Sequence, residues 1–307
     1  MKLSKATLFS LMLVTLMALV PATGEETPGL RTNMLVTTQW LADHLHDQDL
    51  VVLCISSSAD SFAKGHIPGA RNILLSQIAV TRNGVPNELP STEQLQSVFE
   101  AAGMSNHSLV VLYGDHSGMF AARAYFTLDY LGVADRVSVL DGGLEKWKTE
   151  QRPVSTESPK PTAGGKLRTA LRKGILVDTA AMRSMVQKKN GTVAILDGRP
   201  AAEYSGAQTS EDVPKAGHIP NSQSLFWMNL IVSRENPVLK PEAELRRMYA
   251  VANAHAGQPV VTYCRTGMQA SFDYFVAKYL GYDPGMYDAS FYEWSREDLP
   301  VEVTAKP

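Results

Sequence analysis

The chain's 307 residues are too many for one average domain, at roughly 150 residues per domain, so two domains are expected. With 20% charged and 44% hydrophobic residues the balance is that of a soluble globular protein, and it excludes a disordered or membrane-embedded chain. A formal net charge of −2 leaves no basic footprint for nucleic acid, so any attraction for an anionic substrate must be local.

In chain order, Lys2 and Lys5 precede an apolar run over 8–20, followed by Pro21-Ala22-Thr23-Gly24 and Glu25-Glu26. That is the order of a secretory signal with cleavage after Gly24, and the run is shorter than the about 20 apolar residues of a membrane span. The expectation is a signal peptide over 1–24 and an exported protein, periplasmic or secreted, with no stable membrane association after cleavage; an uncleaved anchor stays open. An amino-terminal domain follows over 34–156. Its run Leu50-Val51-Val52-Leu53-Cys54-Ile55 is short, apolar and β-branched, which predicts a buried strand with Cys54 as a small core hydrophobe. Cys54 and Cys264 are the only cysteines and lie 210 residues apart, a weak basis for a disulfide.

One unit is written twice. Gly65-His66-Ile67-Pro68 recurs as Gly217-His218-Ile219-Pro220, 152 residues on, and Tyr130-Leu131-Gly132 recurs as Tyr279-Leu280-Gly281, 149 residues on. Asp141 and Trp147 match Asp288 and Trp294 at an offset of 147. In each copy, continuous apolar runs such as 109–113, 193–196 and 260–263 predict buried parallel strands, with helical patterns between them. Ser91 with Gln94 predicts a capping box, and 268–280 a helix that ends at Gly281. Strand alternating with helix gives an α/β fold, each domain a mostly parallel central sheet flanked by helices. The Pro-, Gly- and Ser/Thr-rich stretch over 157–173 predicts an extended, exposed linker, and 174–302 the second domain.

Val260-Val261-Thr262-Tyr263-Cys264-Arg265-Thr266-Gly267-Met268-Gln269-Ala270 places a cysteine at the carboxyl end of a buried strand and just before a helix, where open α/β sheets bind ligands. A tight loop there can turn successive main-chain N–H groups inward as a nest, and the helix start adds its positive dipole end. Gly267 permits the backbone angles, and Arg265 adds a fixed positive charge. Together these predict a thiol pKa below the ordinary value of about 8.5, and a thiolate able to hold sulfur as Cys264-S-S⁻.

Cys264-Arg265-Thr266-Gly267, with Gly217-His218-Ile219-Pro220 and Asp197-Gly198-Arg199 before Glu203-Tyr204, resembles the active-site signature of rhodaneses. The similarity runs from about residue 34 to residue 301. It implies two rhodanese-like domains with the site in the cleft between them, Cys264 as catalytic cysteine, and a substrate-binding set of Arg199, Arg265, Thr266, Gly267, Met268 and Gln269. Asp197 and Ala270 are supporting residues, Asp197 as a loop-orienting acceptor; a structural ion pair for Arg199 stays open. The amino-terminal copy has Asp115 where the second has Cys264, and a carboxylate cannot form a persulfide, so that domain is expected to be catalytically silent. Asp115 and His116 read as loop-capping residues, His66 and His218 as structural, and Trp147, Trp294 and Trp227 as packing residues. No metal and no organic cofactor is expected.

Among tandem rhodaneses, Arg265 favours thiosulfate as donor, whereas Gln208 stands where mercaptopyruvate enzymes carry a second arginine. Thr266 replaces the lysine of the thiosulfate type. The expected partners are a small sulfur donor and a cyanide or thiol acceptor, with a protein acceptor left open and no nucleic acid. The alternatives are a 3-mercaptopyruvate sulfurtransferase and a non-catalytic sulfur carrier. A phosphatase of this fold would need an arginine six residues after the cysteine, where Ala270 stands.

Overall fold

A computed structural model describes residues 29–158, 164–188 and 191–304. The expected signal peptide lies outside the described residues. The twelve strands described are β1 Leu35–Val36, β2 Leu50–Ser56, β3 Arg71–Leu74, β4 Val80–Arg82, β5 Val85–Glu88, β6 Leu109–Gly114, β7 Val137–Leu140, β8 Leu176–Val177, β9 Ala194–Asp197, β10 Gln223–Ser224, β11 Val260–Tyr263 and β12 Pro284–Tyr287. They form two five-stranded sheets, ordered β1-β7-β6-β2-β3 and β10-β9-β11-β12-β8, and the hairpin β4-β5. All pairs within the large sheets are parallel. Read from the opposite edge, the second order is the first one repeated, so the duplication seen in the sequence is a duplication of topology.

The apolar runs became the central strands for the reason given by their pattern. β2 is buried from its second residue on and all four residues of β11 are buried, because helices cover both faces of each sheet. Ser91 and Gln94 make the expected capping box, each side chain satisfying the other's main-chain N–H. The helix Met268–Tyr279 stops where Gly281 turns left-handed at φ 95°.

Two equivalent helices, Met119–Tyr130 and Met268–Tyr279, join the halves. Each buries ten residues, nearly its whole circumference, so each must be covered on both sides. They pack on one another through edge-on rings, Tyr125 against Phe275 at 5.1 Å and Phe126 against Tyr274 at 5.0 Å between centroids. A single apolar cluster consequently runs from Leu53 and Leu112 to Cys264 and Phe275. At the far end of the pair, the Asp129 carboxylate accepts from Tyr274, Lys278 and Arg172.

The linker differs in part from its expectation. Its residues from Gly164 to Arg172 carry no helix or strand, yet they are not a free tether. Gly165 N–H donates to Glu100 O, Leu167 N–H to Glu100 Oε1 and Ala170 N–H to Leu131 O, each at 2.8–3.0 Å, and Leu167 is buried. One apolar residue and a row of main-chain donors are enough to lay this stretch along the amino-terminal half.

Candidate active site

β11 lies between β9 and β12 in the middle of the second sheet, with Tyr263 in register with Asp197. The next residue, Cys264, therefore emerges at the carboxyl end of the central strand, and Gly267 at φ 80° starts the helix Met268–Tyr279. Main-chain N–H groups of Ala270, Thr266 and Gln269 are directed at the Cys264 sulfur and favour its ionised form. The Gly267 N–H instead donates to Ser290 Oγ at 3.1 Å, so the loop's amides divide between the sulfur and that hydroxyl.

Its effect on the free thiol is outweighed. Cys264 is 1% exposed, and burial, followed by the negative charge of Asp197, raises its pKa above the ordinary value despite the three amides. The expectation of a lowered thiol pKa is thus corrected, because withdrawal from water costs the thiolate more than the amides return. Arg265 does not redress the balance, since its Nε and Nη2 are both engaged by the Glu203 carboxylate.

Arg199 is likewise committed. Its Nε and Nη2 donate to Asp197 at 2.6–3.1 Å, Nη2 also reaches Gly217 O at 2.9 Å, and the guanidinium lies 4.0 Å from the Phe291 ring centre. With 1% exposure it is a buried structural pair rather than an open anion receiver, and Asp197 holds it while also accepting Arg199's own N–H. Of the residues expected at the site, the structure gathers Thr266, Gln269 and Ala270 around the sulfur through their amides, with Gly267 as the turn. Met268 is buried in the first turn of the helix.

Several contributors had not been read from the sequence. Ser290 Oγ accepts the N–H groups of both Cys264 and Gly267 at 3.1 Å and donates to Tyr287 O at 2.8 Å. It does so from left-handed backbone at φ 55°, a conformation that disfavours residues other than glycine. The signal for it lay in the repeat, because the equivalent of Ser290 is Gly143, at φ 54°. Phe291 N–H donates to Cys264 O and Tyr292 N–H to Arg265 O, so the 288–292 turn grips the loop along its length. Asp273 is fully buried with neither carboxylate oxygen hydrogen-bonded among the described residues, and burial, then Asp197, holds its pKa far above the usual carboxylate range. Gly198 lies beside it, and a Cβ there would overlap Asp273 Oδ2 unless that carboxyl shifted.

The residues set aside as structural are placed as expected. His66 stacks on Phe62 and His218 on Tyr204, each with Nδ1 at a main-chain carbonyl. Trp147 and Trp294 are buried, with Nε1 donating to Pro153 O and Pro300 O, and Trp227 packs on Phe272. Asp115 Oδ2 accepts from Ser57 N–H, Ser57 Oγ and Ser61 Oγ at 2.7–2.9 Å. Cys54 is buried beside Tyr113, and burial pushes its thiol up to about 12.

A model of the rhodanese-like domain matches residues 37–150 and again 179–297. The chain belongs to the rhodanese-like family. This rhodanese-like chain is 32% identical to a sulfur carrier protein of Thermus thermophilus over 85% of its own length and 93% of the relative's. It is 31% identical to a putative thiosulfate sulfurtransferase of Synechococcus elongatus, over 93% and 89% of the two chains. The crystal structure of YnjE superposes with a TM-score of 0.79 at 22% identity, covering 89% of this chain and 69% of that one, which shows the shared rhodanese fold. With two rhodanese domains and these relatives, the chain is placed among the sulfurtransferases and sulfur carriers of the family.

Proposed function

We propose that this rhodanese transfers the outer sulfur of thiosulfate to a cyanide or thiol acceptor through a persulfide on Cys264. In the first step the Cys264 thiolate attacks the outer sulfur, the S–S bond of thiosulfate breaks with its electron pair leaving on sulfite, and Cys264-S-S⁻ remains. In the second, the acceptor attacks the terminal sulfur and the thiolate returns. The observation that carries this reading is the convergence of the Thr266, Gln269 and Ala270 amides on the Cys264 sulfur. With Arg199 and Arg265 both held by carboxylates, the receptor for anionic sulfur is the peptide backbone.

The buried thiol gives this receptor a direction. Before reaction, burial favours the neutral thiol; afterwards the added sulfur carries the charge one atom further out. The site thus resists ionisation of the free cysteine more than it resists the sulfur-loaded form. Entry of thiosulfate to a residue 1% exposed requires local opening over the loop.

Intact-protein mass spectrometry after incubation with thiosulfate tests the reading. One added sulfur atom, released as thiocyanate by cyanide and missing in Cys264→Ala, is expected; no adduct on the unaltered protein would sink it. Likeness to a sulfur carrier favours a second reading, in which the same persulfide is delivered to a protein acceptor. A persulfide that forms but resists cyanide and small thiols would select that one.

A further inference from the structure

The half without a nucleophile reaches into the site. Asn87, in β5, adopts left-handed backbone at φ 63°, and its Nδ2 donates to Thr266 Oγ1 at 2.9 Å. Thr266 supplies one of the amides directed at the Cys264 sulfur. Behind Asn87, Arg123 of the helix Met119–Tyr130 donates from Nη2 to the Asn87 carbonyl. The same guanidinium crosses to the second half, with Nη1 at 2.5 Å from Asp288 Oδ1 and Nη2 at 3.1 Å from Oδ2. Asp288 in turn lies against Gly267, where a Cβ would overlap its carboxylate and its carbonyl.

One fully buried guanidinium therefore governs both flanks of the loop, Thr266 through Asn87 and Gly267 through Asp288. Arginine suits the task because its planar fork offers several donors in fixed directions, enough for a carboxylate and a carbonyl together. The contact also sets what the Thr266 hydroxyl can do. With Asn87 donating to it, Thr266 Oγ1 keeps its own proton for an acceptor, and the anionic oxygens of a sulfur donor are such acceptors.

We propose that Asn87 and Arg123 are positioning residues of the amino-terminal half: they fix the Thr266 and Gly267 flanks of the Cys264 loop and orient the Thr266 hydroxyl toward the oxyanion of the donor. The kinetic part rests on thiosulfate transfer at Cys264; the loop geometry does not. Asn87 and Thr266 are partly exposed, so Asn87→Ala and Thr266→Val test the contact without opening the core. Each variant is expected to lower kcat/KM for thiosulfate about tenfold, mainly through KM, and the double variant to be no worse than either single one. Thr266→Ser, which keeps the hydroxyl, should stay within about twofold of the unaltered protein. In parallel, the rate of Cys264 alkylation by iodoacetamide reads the loop without a sulfur donor and is expected to shift at least threefold in Asn87→Ala. Arg123→Lys, which replaces the planar fork with a single nitrogen, should lose at least as much as Asn87→Ala. Additive losses in the double variant, or unchanged kinetics and alkylation in Asn87→Ala, would overturn the proposal. If the unaltered protein releases no sulfite while alkylation still responds to Asn87→Ala, the donor assignment fails and the positioning role stands.

Discussion

The two halves offer the same strand, loop and helix with opposite outcomes. Asp115-His116-Ser117-Gly118 follows β6 as Cys264-Arg265-Thr266-Gly267 follows β11, at equal length, with the helix-starting glycines at φ 84° and 80°. In the first loop, His116 and Ser117 are left-handed at φ 57° and 54°, and Asp115 turns away to Ser57 and Ser61. A cavity of about 490 Å³ remains there, bordered by Cys54, Asp115 and Glu145. In the second, glycine is the only left-handed residue from 264 to 267, three amides converge on sulfur, and Ser290 holds the loop from below. The shared scaffold places a residue at the sheet's carboxyl edge; the backbone of the next three decides whether that residue is a receptor's centre.

The comparison is broken most severely at its first residue. Cys264→Ala should lower sulfur transfer by more than about 10³-fold. Adding Asp115→Cys to that variant should not restore it, because His116 and Ser117 are left-handed where Arg265 and Thr266 are not, so the loop backbone takes another path around residue 115. A sulfur adduct at residue 115 by intact mass would show that the scaffold alone suffices.

Ser290 sharpens it next. Ser290→Ala leaves two buried N–H donors without their acceptor and should cost about 1–3 kcal/mol of stability, with kcat/KM falling on the order of tenfold or more. Ser290→Gly copies the first half's Gly143, so it should melt higher than Ser290→Ala while showing the same kinetic loss. Equal kinetics in Ser290→Gly and the unaltered protein would remove the hydroxyl from the site's construction.

Cys264 ionisation provides a smaller, graded effect. Since burial raises this pKa, alkylation of Cys264 should climb roughly tenfold per pH unit through neutrality and still be rising at about pH 8.5, the ordinary thiol value. A plateau below pH 7 would mean that the amides win after all.

An effect on stability alone, and not on the loop, concerns Asp273, whose counterpart in the first half is Ala124. Unfolded, Asp273 ionises above about pH 3.9, whereas folded it keeps its proton to higher pH, so its share of stability is present below that pH and lost as pH rises. Relative to Asp273→Asn, the unaltered protein should lose up to about 1.4 kcal/mol per pH unit above that point. Denaturation at several pH values measures it, and a difference independent of pH would mean the carboxyl is ionised in the fold.

Much of this was legible in the sequence, because it depends on neighbours along the chain. The repeat, the apolar runs of β2, β6 and β11, the Ser91 cap, and the cysteine between strand and helix are all local patterns. The roles of the two arginines were not legible. Arg199 beside Asp197 and Arg265 near Cys264 read as anion receivers, yet Asp197 and a glutamate 62 residues from Arg265 claim their donors. The raised thiol pKa was hidden for a related reason, since burial is a property of the closed fold and not of the motif. Asn87, Arg123, Thr266 and Asp288 meet through contacts that span 36 to 179 residues of sequence, which no spacing reveals.

The back-to-back seating of the helices Met119–Tyr130 and Met268–Tyr279 has a consequence. A copy with aspartate at the position of Cys264 could be spared only if nothing else leaned on it. Once its flank had become the interior wall of its sibling, deletion would leave a greasy, half-open remnant. The first copy thus serves as architecture for the second, whatever side chain stands at position 115.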